Sequence, residues 1–190
     1  MTRQWTLRLG VGLLVAATLL PGCSKKQEAN ETLPSTTAET TPGLAPLGPE
    51  DLPMPDEART QDAAGAEAFV RYYIELINRT SDVMDAEPLR EFSDACRECE
   101  RLAANVEQDA AAGNNYDRGE ITITEVGEPV MKEDAADLPI VVDQAEFIVL
   151  DSEGAPTDGG SEAYADVPGG VALKWDSERE CWVMTDLTFG

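Results

Sequence analysis

The apolar residues of this chain change their spacing at Gly113, and this change constrains the fold more than any other feature of the sequence. Before Gly113, residues 61–112 place apolar side chains three and four positions apart, which predicts helices. After it, segments such as EITITEV alternate apolar and polar side chains, which predicts strands with one buried face. The sequence therefore predicts an α+β domain, with N-terminal helices packed on a C-terminal antiparallel curved sheet.

Two long helices are expected in the first part. In QDAAGAEAFVRYYIELINRT, one helical face carries the apolar side chains Ala66, Phe69, Val70, Tyr73, Ile74 and Ile77. The second helix is expected in DACRECERLAANVEQDAAAG, with Ser93 as its N-cap and Gly113 as its stop. Its buried stripe is expected to be Leu102, Val106 and Ala110.

The second part is expected to form strands. LPIVVDQAEFIVLD is predicted to be one long strand, apolar enough to lie inside a sheet. GVALKWD and ECWVMTDLTF are predicted to form a C-terminal hairpin around DSER. The insert SEGAPTDGGSEAYADVPGG is expected to be a loop with a short strand at EAYA.

The first residues indicate export and lipidation. Arg3 and Arg8 precede the apolar stretch Leu9–Leu20, a pattern typical of a secretory signal and too short to span a bilayer. LLPGC resembles the lipobox of bacterial lipoproteins, which implies removal of residues 1–22 and lipidation of Cys23. We therefore expect a protein anchored to the cell membrane through Cys23, on its extracytoplasmic face.

A tether and one domain are expected after the signal. Residues 23–60 are rich in Pro, Thr and Glu and lack apolar periodicity, which is typical of a disordered segment. Residues 61–190 are of ordinary length for a single α+β domain.

The net charge argues against a nucleic-acid partner. Removal of residues 1–22, which contain two arginines and no carboxylate, takes the net charge from −23 to −25. Because no basic patch is evident to neutralise phosphates, binding to nucleic acid is not expected.

Cys96 and Cys99 in CREC admit three interpretations. A redox pair is disfavoured because Asp94, Glu98 and Glu100 would raise the pKa of a thiolate there. A zinc site is disfavoured because the chain has no histidine and only one further cysteine, Cys181, beyond the lipobox. A short-range Cys96–Cys99 disulfide is favoured, since an extracytoplasmic compartment permits it. Cys181 is expected to be a buried free thiol, and a bond from it to the CREC pair is the alternative.

No catalytic or metal-binding constellation is recognised. The absence of histidine removes Ser-His and Cys-His nucleophile arrangements. DSEGAPTDGGSE has acidic residues at EF-hand-like spacing, but Pro156 occupies the position that needs glycine. Carboxylates and tyrosines remain conceivable as bases in a pocket, namely Tyr72, Tyr73, Glu75, Asp143 and Glu146. We expect no cofactor, and a non-enzymatic role is favoured.

GAEAFVRYYIELIN followed by CREC resembles an actinobacterial lipoprotein family known only as a domain of unknown function. The matching positions are Gly65, Ala66, Ala68, Phe69, Tyr72, Tyr73, Asn78, Cys96 and Cys99. The order of helices and strands, ending in CWVM, is also similar to the cone fold of the nuclear-transport-factor-like (cystatin-like) group. That resemblance implies a curved sheet around a long helix, where a pocket can form. Neither resemblance implies catalytic residues.

Together these features favour a membrane-anchored extracytoplasmic lipoprotein that acts as a non-catalytic binding or interaction module of the cell envelope. Its partner would be another envelope protein or a small ligand. One alternative is a cone-fold pocket protein that binds or converts a small ligand. A second is a surface thiol-disulfide redox protein that uses Cys96 and Cys99.

Overall fold

The structure is a computed structural model that describes residues 45–190. The predicted signal peptide, Cys23 and the first part of the predicted tether lie outside these residues. Within residues 45–190, no helix is both long enough and apolar enough to cross a membrane.

Three α-helices precede the sheet, and the two long ones are the helices that the apolar spacing predicts. A short 3-10 helix, Asp56–Arg59, leads into the long α1, Ala63–Val83; α2 is Glu87–Glu91 and α3 is Arg97–Ala112. The Asp62 side chain caps α1 by accepting a hydrogen bond from the Gly65 N–H at 2.8 Å. All six apolar positions predicted to face the core from α1 are buried.

The start of α3 differs from the prediction. Its N-cap is Cys96, not Ser93. Ser93 instead lies in a parallel bridge with Met184, in which the Asp94 N–H donates to the Met184 carbonyl at 2.9 Å. Because this pairing keeps the backbone extended, the helix cannot begin until after Ala95. The buried stripe of α3 is Cys99, Ala103 and Val106, whereas Ala110 is exposed.

Eight strands form two antiparallel sheets. Their bounds are β1 Asn115–Arg118, β2 Ile121–Val126, β3 Val130–Lys132, β4 Ala135–Gln144, β5 Phe147–Leu150, β6 Pro156–Ser161, β7 Tyr164–Asp176 and β8 Cys181–Phe189. The large sheet has the order β2-β4-β7-β8, with β3 also paired to β4. The small sheet has the order β1-β5-β6. The predicted α+β fold and the C-terminal β7–β8 hairpin are confirmed.

Two predictions about the strands are wrong. The expected single strand over LPIVVDQAEFIVLD is divided into β4 and β5, which belong to different sheets. The division occurs because β4 pairs with β2 whereas β5 pairs with β1, so the chain must leave one sheet for the other at Ala145 and Glu146. The expected loop after β5 contains a strand of its own, β6, paired with β5.

The core lies between α1 and the concave face of the large sheet. From α1 the core takes Phe69, Val70, Tyr73 and Leu76, and from the sheet it takes alternate residues of β4 such as Leu138 and Ile140. Trp182 is fully buried, and its indole N–H donates to the Thr60 carbonyl at 2.9 Å. The alternation predicted from the sequence thus decides which face of each central strand meets the helix.

The segment before α1 packs onto the domain. The sequence places residues 45–60 in the tether, whereas Met54 and Ala58 are buried in the core. Arg59, only 9% exposed, donates to the carbonyls of Ala45 at 2.6 Å and Arg179 at 2.8 Å. The domain therefore begins before residue 61. The proline-rich composition concealed this, because isolated buried residues have no periodicity that a pattern search detects.

Substitution of Arg59→Ala is expected to lower the free energy of unfolding by about 2–4 kcal/mol, because it removes charged hydrogen bonds from a buried side chain to backbone carbonyls. Urea denaturation of the mature chain measures the change. Arg71→Ala is the matched control, since Arg71 is exposed and pairs only with Glu67 one turn away. That control should change stability by less than about 0.5 kcal/mol. Equal effects of the two substitutions would show that residues 45–60 do not stabilise the domain.

Candidate functional site

A cleft of about 580 Å³ opens between the helices and the small sheet. Its helical wall is formed by α3 and the C-terminal half of α1, and its other wall by β1, β5 and β6. The volume lies within the range of about 300–1,000 Å³ usual for small-molecule sites.

One face of α3 supplies five of the polar side chains that line the cleft. These side chains recur at helical spacing along the cleft and are Glu98, Arg101, Asn105, Gln108 and Asp109. Leu102 and Val106 line the cleft between them. The helix thus presents a polar strip beside an apolar floor.

The small sheet supplies an aromatic wall. The rings of Tyr116 and Phe147 meet edge to face, with centroids 4.7 Å apart. Beside them Gly159 and Gly160 add no side chains that would fill the cleft. A side chain at Gly160 is excluded, because its φ is +129° and a Cβ would lie 2.2 Å from the Phe147 carbonyl oxygen.

Asp109 is held at the centre of a hydrogen-bonded group. The Tyr116 hydroxyl donates to Asp109 Oδ2 at 2.6 Å, and the Asn114 amide donates to Oδ1 at 2.9 Å. Burial of the phenol raises the pKa of Tyr116, and the hydrogen bond to Asp109 and its negative charge raise it further. Tyr116 therefore stays protonated at neutral pH and acts as a hydrogen-bond donor, not as a base.

Two hydroxyls at the cleft are unpaired. Thr80 on α1 and Ser161 on β6 both line it, and their side-chain oxygens are buried without a hydrogen-bond partner among residues 45–190. A buried hydroxyl without a partner costs about 1–3 kcal/mol. Both oxygens are closed to solvent, so they lie beneath the surface of the cleft and lower the stability of the fold rather than face the open space.

Asn78 positions one edge of the cleft. Its amide donates to the Ile121 carbonyl and accepts from the Ile121 N–H, both at 2.9 Å. These two bonds attach the first residue of β2 to α1. The Asn that forms part of the sequence resemblance thus holds Ile121, a cleft residue, in place.

The Cys96–Cys99 disulfide predicted from the sequence is confirmed. The Cα atoms are 5.3 Å apart, and both residues are buried at the N-terminus of α3. Its short closed loop is worth about 2 kcal/mol in the chain-entropy treatment. The bond therefore stabilises the end of the helix whose polar face lines the cleft.

Cys181 does not line the cleft. Cys181 is a buried free thiol in β8, as predicted, and burial raises the pKa of that thiol. The alternative bond from Cys181 to the CREC pair is therefore wrong. The predicted lipidation site, Cys23, lies outside the described residues.

The candidate bases named from the sequence do not line the cleft. Tyr72 and Tyr73 belong to the core, where their hydroxyls donate to the carbonyls of Leu52 at 3.3 Å and Leu89 at 3.0 Å. Asp143 accepts from the Asp166 N–H, and Glu146 pairs with Arg118. Sequence reasoning missed Thr80, Asp109, Tyr116 and Ser161, whose convergence depends on the positions of two helices and the small sheet.

No group of three or more histidine, cysteine, aspartate or glutamate side chains able to hold a metal ion occurs in residues 45–190. The groups that line the cleft are mainly amides, hydroxyls, aliphatic side chains and aromatic rings.

Comparisons with known proteins agree with this fold. A family described as "Family of unknown function (DUF6318)" matches residues 49–188. The intermembrane space region of the chloroplast protein ARC6 is 15% identical, with a TM-score of 0.52 over 68% of this chain and 97% of that one. At this identity the similarity shows the fold alone. Among curated proteins, none matches this chain.

Two other solved structures are described by the names of the fold group to which the order of helices and strands is similar. One is a nuclear-transport-factor-like superfamily protein from Salmonella enterica, 8% identical over 68% of this chain and 92% of that one, with a TM-score of 0.42. The other is a Nostoc punctiforme domain with a cystatin-like fold, 17% identical over 66% of this chain and 76% of that one, with a TM-score of 0.34.

The raised pKa of Tyr116 predicts a loss of stability at alkaline pH. The stabilisation from protonated Tyr116 is complete below the ordinary tyrosine pKa of about 10 and is lost as pH rises above it. Between pH 10 and 11, wild type should lose about 0.5 kcal/mol more unfolding free energy than Tyr116→Phe, because solvent at the partly exposed phenol screens part of the effect. Urea titrations at pH 8, 10 and 11 measure this, and the pH 8 values correct for the hydrogen bond that the substitution removes. Equal losses in the two proteins would contradict a raised pKa at Tyr116.

Proposed function

Since the chain belongs to the DUF6318 family of unknown function, whose description states no activity, we propose a function from the cleft itself. The protein is a lipid-anchored, extracytoplasmic binding protein that holds a small organic molecule between α3 and the small sheet. The observation that carries this proposal is the cleft of about 580 Å³, whose walls are the polar face of α3 and the aromatic side chains of the small sheet.

Further groups in the cleft support a binding role. The side chains of Asn105, Gln108 and Gln144 line it and make no hydrogen bond within the described part of the chain. Each amide offers both donors and an acceptor to a ligand. With Tyr116 and Phe147 opposite them, these groups can orient an organic molecule while burying its apolar surface.

Docking of another protein through an apolar surface is less well supported. The large apolar side chains exposed in residues 45–190 are Val83, Val130, Met131 and Tyr164. Val130 on β3 pairs with Asp137 near one end of β4. Tyr164 on β7 pairs with Gln144 at the other end of β4. Seven residues of strand separate these positions by about 23 Å, so they form no single apolar patch.

The cleft favours binding over conversion of the ligand. Asp109 accepts hydrogen bonds from Tyr116 and Asn114, and Glu98 accepts from Arg101. A general base must be free to take a proton from the substrate, and neither carboxylate is free in this way. Redox exchange at Cys96 and Cys99 is likewise disfavoured, because both cysteines are buried and exchange requires access to a sulfur atom.

The anchor in this proposal is a lipid on Cys23, exposed after removal of residues 1–22. Residues 23–44 then connect the membrane to the domain.

Substitution of Cys23→Ser should prevent lipidation and release the protein from the membrane. Detergent phase partitioning and labelling with an alkyne palmitate analogue measure this in cells. Ser24→Ala, one residue away, is the control and should remain anchored. Membrane retention and labelling of the Cys23→Ser protein would refute the anchor.

Substitution of Asn105→Trp should obstruct the cleft. The probe is N-phenyl-1-naphthylamine, a neutral fluorophore that brightens in apolar sites, titrated into the mature protein. We expect its affinity to fall at least ten-fold in the variant, because the exposed Asn105 side chain lines the cleft and the indole would occupy it.

Ala104→Trp is the matched control for this experiment. Ala104 is exposed on the same helix but does not line the cleft, so probe binding should stay within two-fold of wild type. Absence of probe binding by wild type, or equal effects of the two substitutions, would contradict the cleft as the binding site.

A further inference from the structure

The charges that line the cleft do not cancel. Among residues 45–190, the charged side chains that line it are Glu98, Arg101 and Asp109. The Arg101 guanidinium donates through Nε and Nη2 to the Glu98 carboxylate and holds the pKa of Glu98 below its ordinary value. Both members of this pair are therefore ionised, and their charges offset each other. The negative charge of Asp109 is left over.

Asp109 can accept further hydrogen bonds. It is partly buried, and its carboxylate accepts from the neutral Tyr116 hydroxyl at one oxygen and the neutral Asn114 amide at the other. Within the described part of the chain, no lysine or arginine pairs with it. A carboxylate has about four acceptor sites, so about two remain at Asp109. A ligand N–H can donate to these sites without transferring its proton.

The C-terminal end of α3 adds to the negative potential beside Asp109. Asp109 lies in the last turn of α3, and that turn contains no basic residue. The backbone dipoles of a helix place partial negative charge at its C-terminus, which stabilises a cation there and disfavours an anion. The helix end and the carboxylate therefore act in the same direction.

The aromatic wall of the cleft also favours a positive charge. The hydroxyl of Tyr116 contacts Asp109, and the centroid of the Phe147 ring lies 4.7 Å from that of the Tyr116 ring. Both rings line the cleft. The face of an aromatic ring attracts an ammonium or guanidinium group within about 6 Å. The place beside Asp109 thus combines three features that attract a cation.

We propose that the cleft selects an organic cation that carries N–H donors, such as a protonated primary amine or a guanidinium compound. This inference rests on the binding role proposed above and adds the charge of the ligand. The positive charge lies at the C-terminal end of α3, where it donates to Asp109 beside Tyr116 and Phe147. The acidic surface assists its approach, because residues 45–190 contain 34 carboxylates and ten lysines or arginines.

The first test compares three probes that share one ring system and differ in charge. They are 1-naphthylmethylammonium, 1-naphthalenemethanol and 1-naphthoate, each titrated into the mature protein at neutral pH by isothermal titration calorimetry. The ammonium should bind at least about ten-fold more tightly than the alcohol, because its hydrogen bond to the carboxylate is charge-assisted. The carboxylate probe should bind more weakly than the alcohol, because it meets Asp109 and the helix end.

Asp109→Asn locates the charge that the ligand meets. The substitution removes the negative charge and keeps the shape of the side chain and one acceptor oxygen. It should weaken the ammonium about ten-fold and leave the alcohol within about two-fold of wild type. Near-UV circular dichroism reports whether the variant keeps its fold.

Asp117→Asn is the matched control. Asp117 is exposed on β1, next to Tyr116, and does not line the cleft. The control changes the net charge by the same amount, and affinity for the ammonium should stay within about two-fold of wild type because solvent screens an exposed charge.

Arg101→Gln tests the sign of the effect in the opposite direction. It leaves Glu98 without its partner, so the cleft gains a second negative charge that nothing offsets. Affinity for the ammonium should rise about three-fold, since opposite charges attract more strongly when the competing cation is removed.

Three outcomes would overturn the selection of a cation while N-phenyl-1-naphthylamine still reports a binding cleft. These are failure of the ammonium to bind wild type, binding of the alcohol or the carboxylate probe as tight as that of the ammonium, and equal effects of Asp109→Asn and Asp117→Asn. Failure of the fluorophore and of all three probes to bind wild type would overturn the binding role as well. The comparison of probes needs no variant, so misfolding of Asp109→Asn cannot obscure it.

Discussion

Burial of α1 is the constraint on which the rest of the structure depends. The helix is covered by the sheet on one side and by neighbouring chain segments on others, so even its tyrosine hydroxyls must find protein acceptors. Tyr72 uses the Leu52 carbonyl and Tyr73 uses the Leu89 carbonyl. These bonds explain why residues 45–60 and α2 belong to the domain. A helix with so little exposed surface requires partners from both ends of the chain.

The C-terminal hairpin provides the second set of attachments. Its turn holds Arg59 through the carbonyls of Arg179 and Glu180, while the Arg179 guanidinium donates to the Glu91 carbonyl at 2.7 Å. Phe92 and Asp94 pair with Met184 in β8. The hairpin therefore joins the segment before α1 to the segment before α3. This arrangement fixes α3, and with it the polar wall of the cleft, relative to the large sheet.

The cleft exists because the chain divides its strands between two sheets. If β4 and β5 formed one strand, the small sheet would continue the large one and leave no opposing wall. The separation brings Tyr116 and Phe147 across from α3, and it leaves Thr80 and Ser161 buried without partners. Such unpaired buried groups lower the stability of the fold. The disulfide at the start of α3 offsets part of that cost.

The sequence by itself determined the helices, the strand faces, the C-terminal hairpin and the Cys96–Cys99 bond, because periodicity and short spacing are local properties. It did not reveal the division at Ala145 and Glu146, β6, or the packing of residues 45–60, since each depends on which distant segment supplies a partner. The cleft was decided by tertiary structure alone. Thr80, Asp109 and Ser161 form no motif along the chain, and they come together only when α1, α3 and the small sheet are placed by the buried contacts of the core.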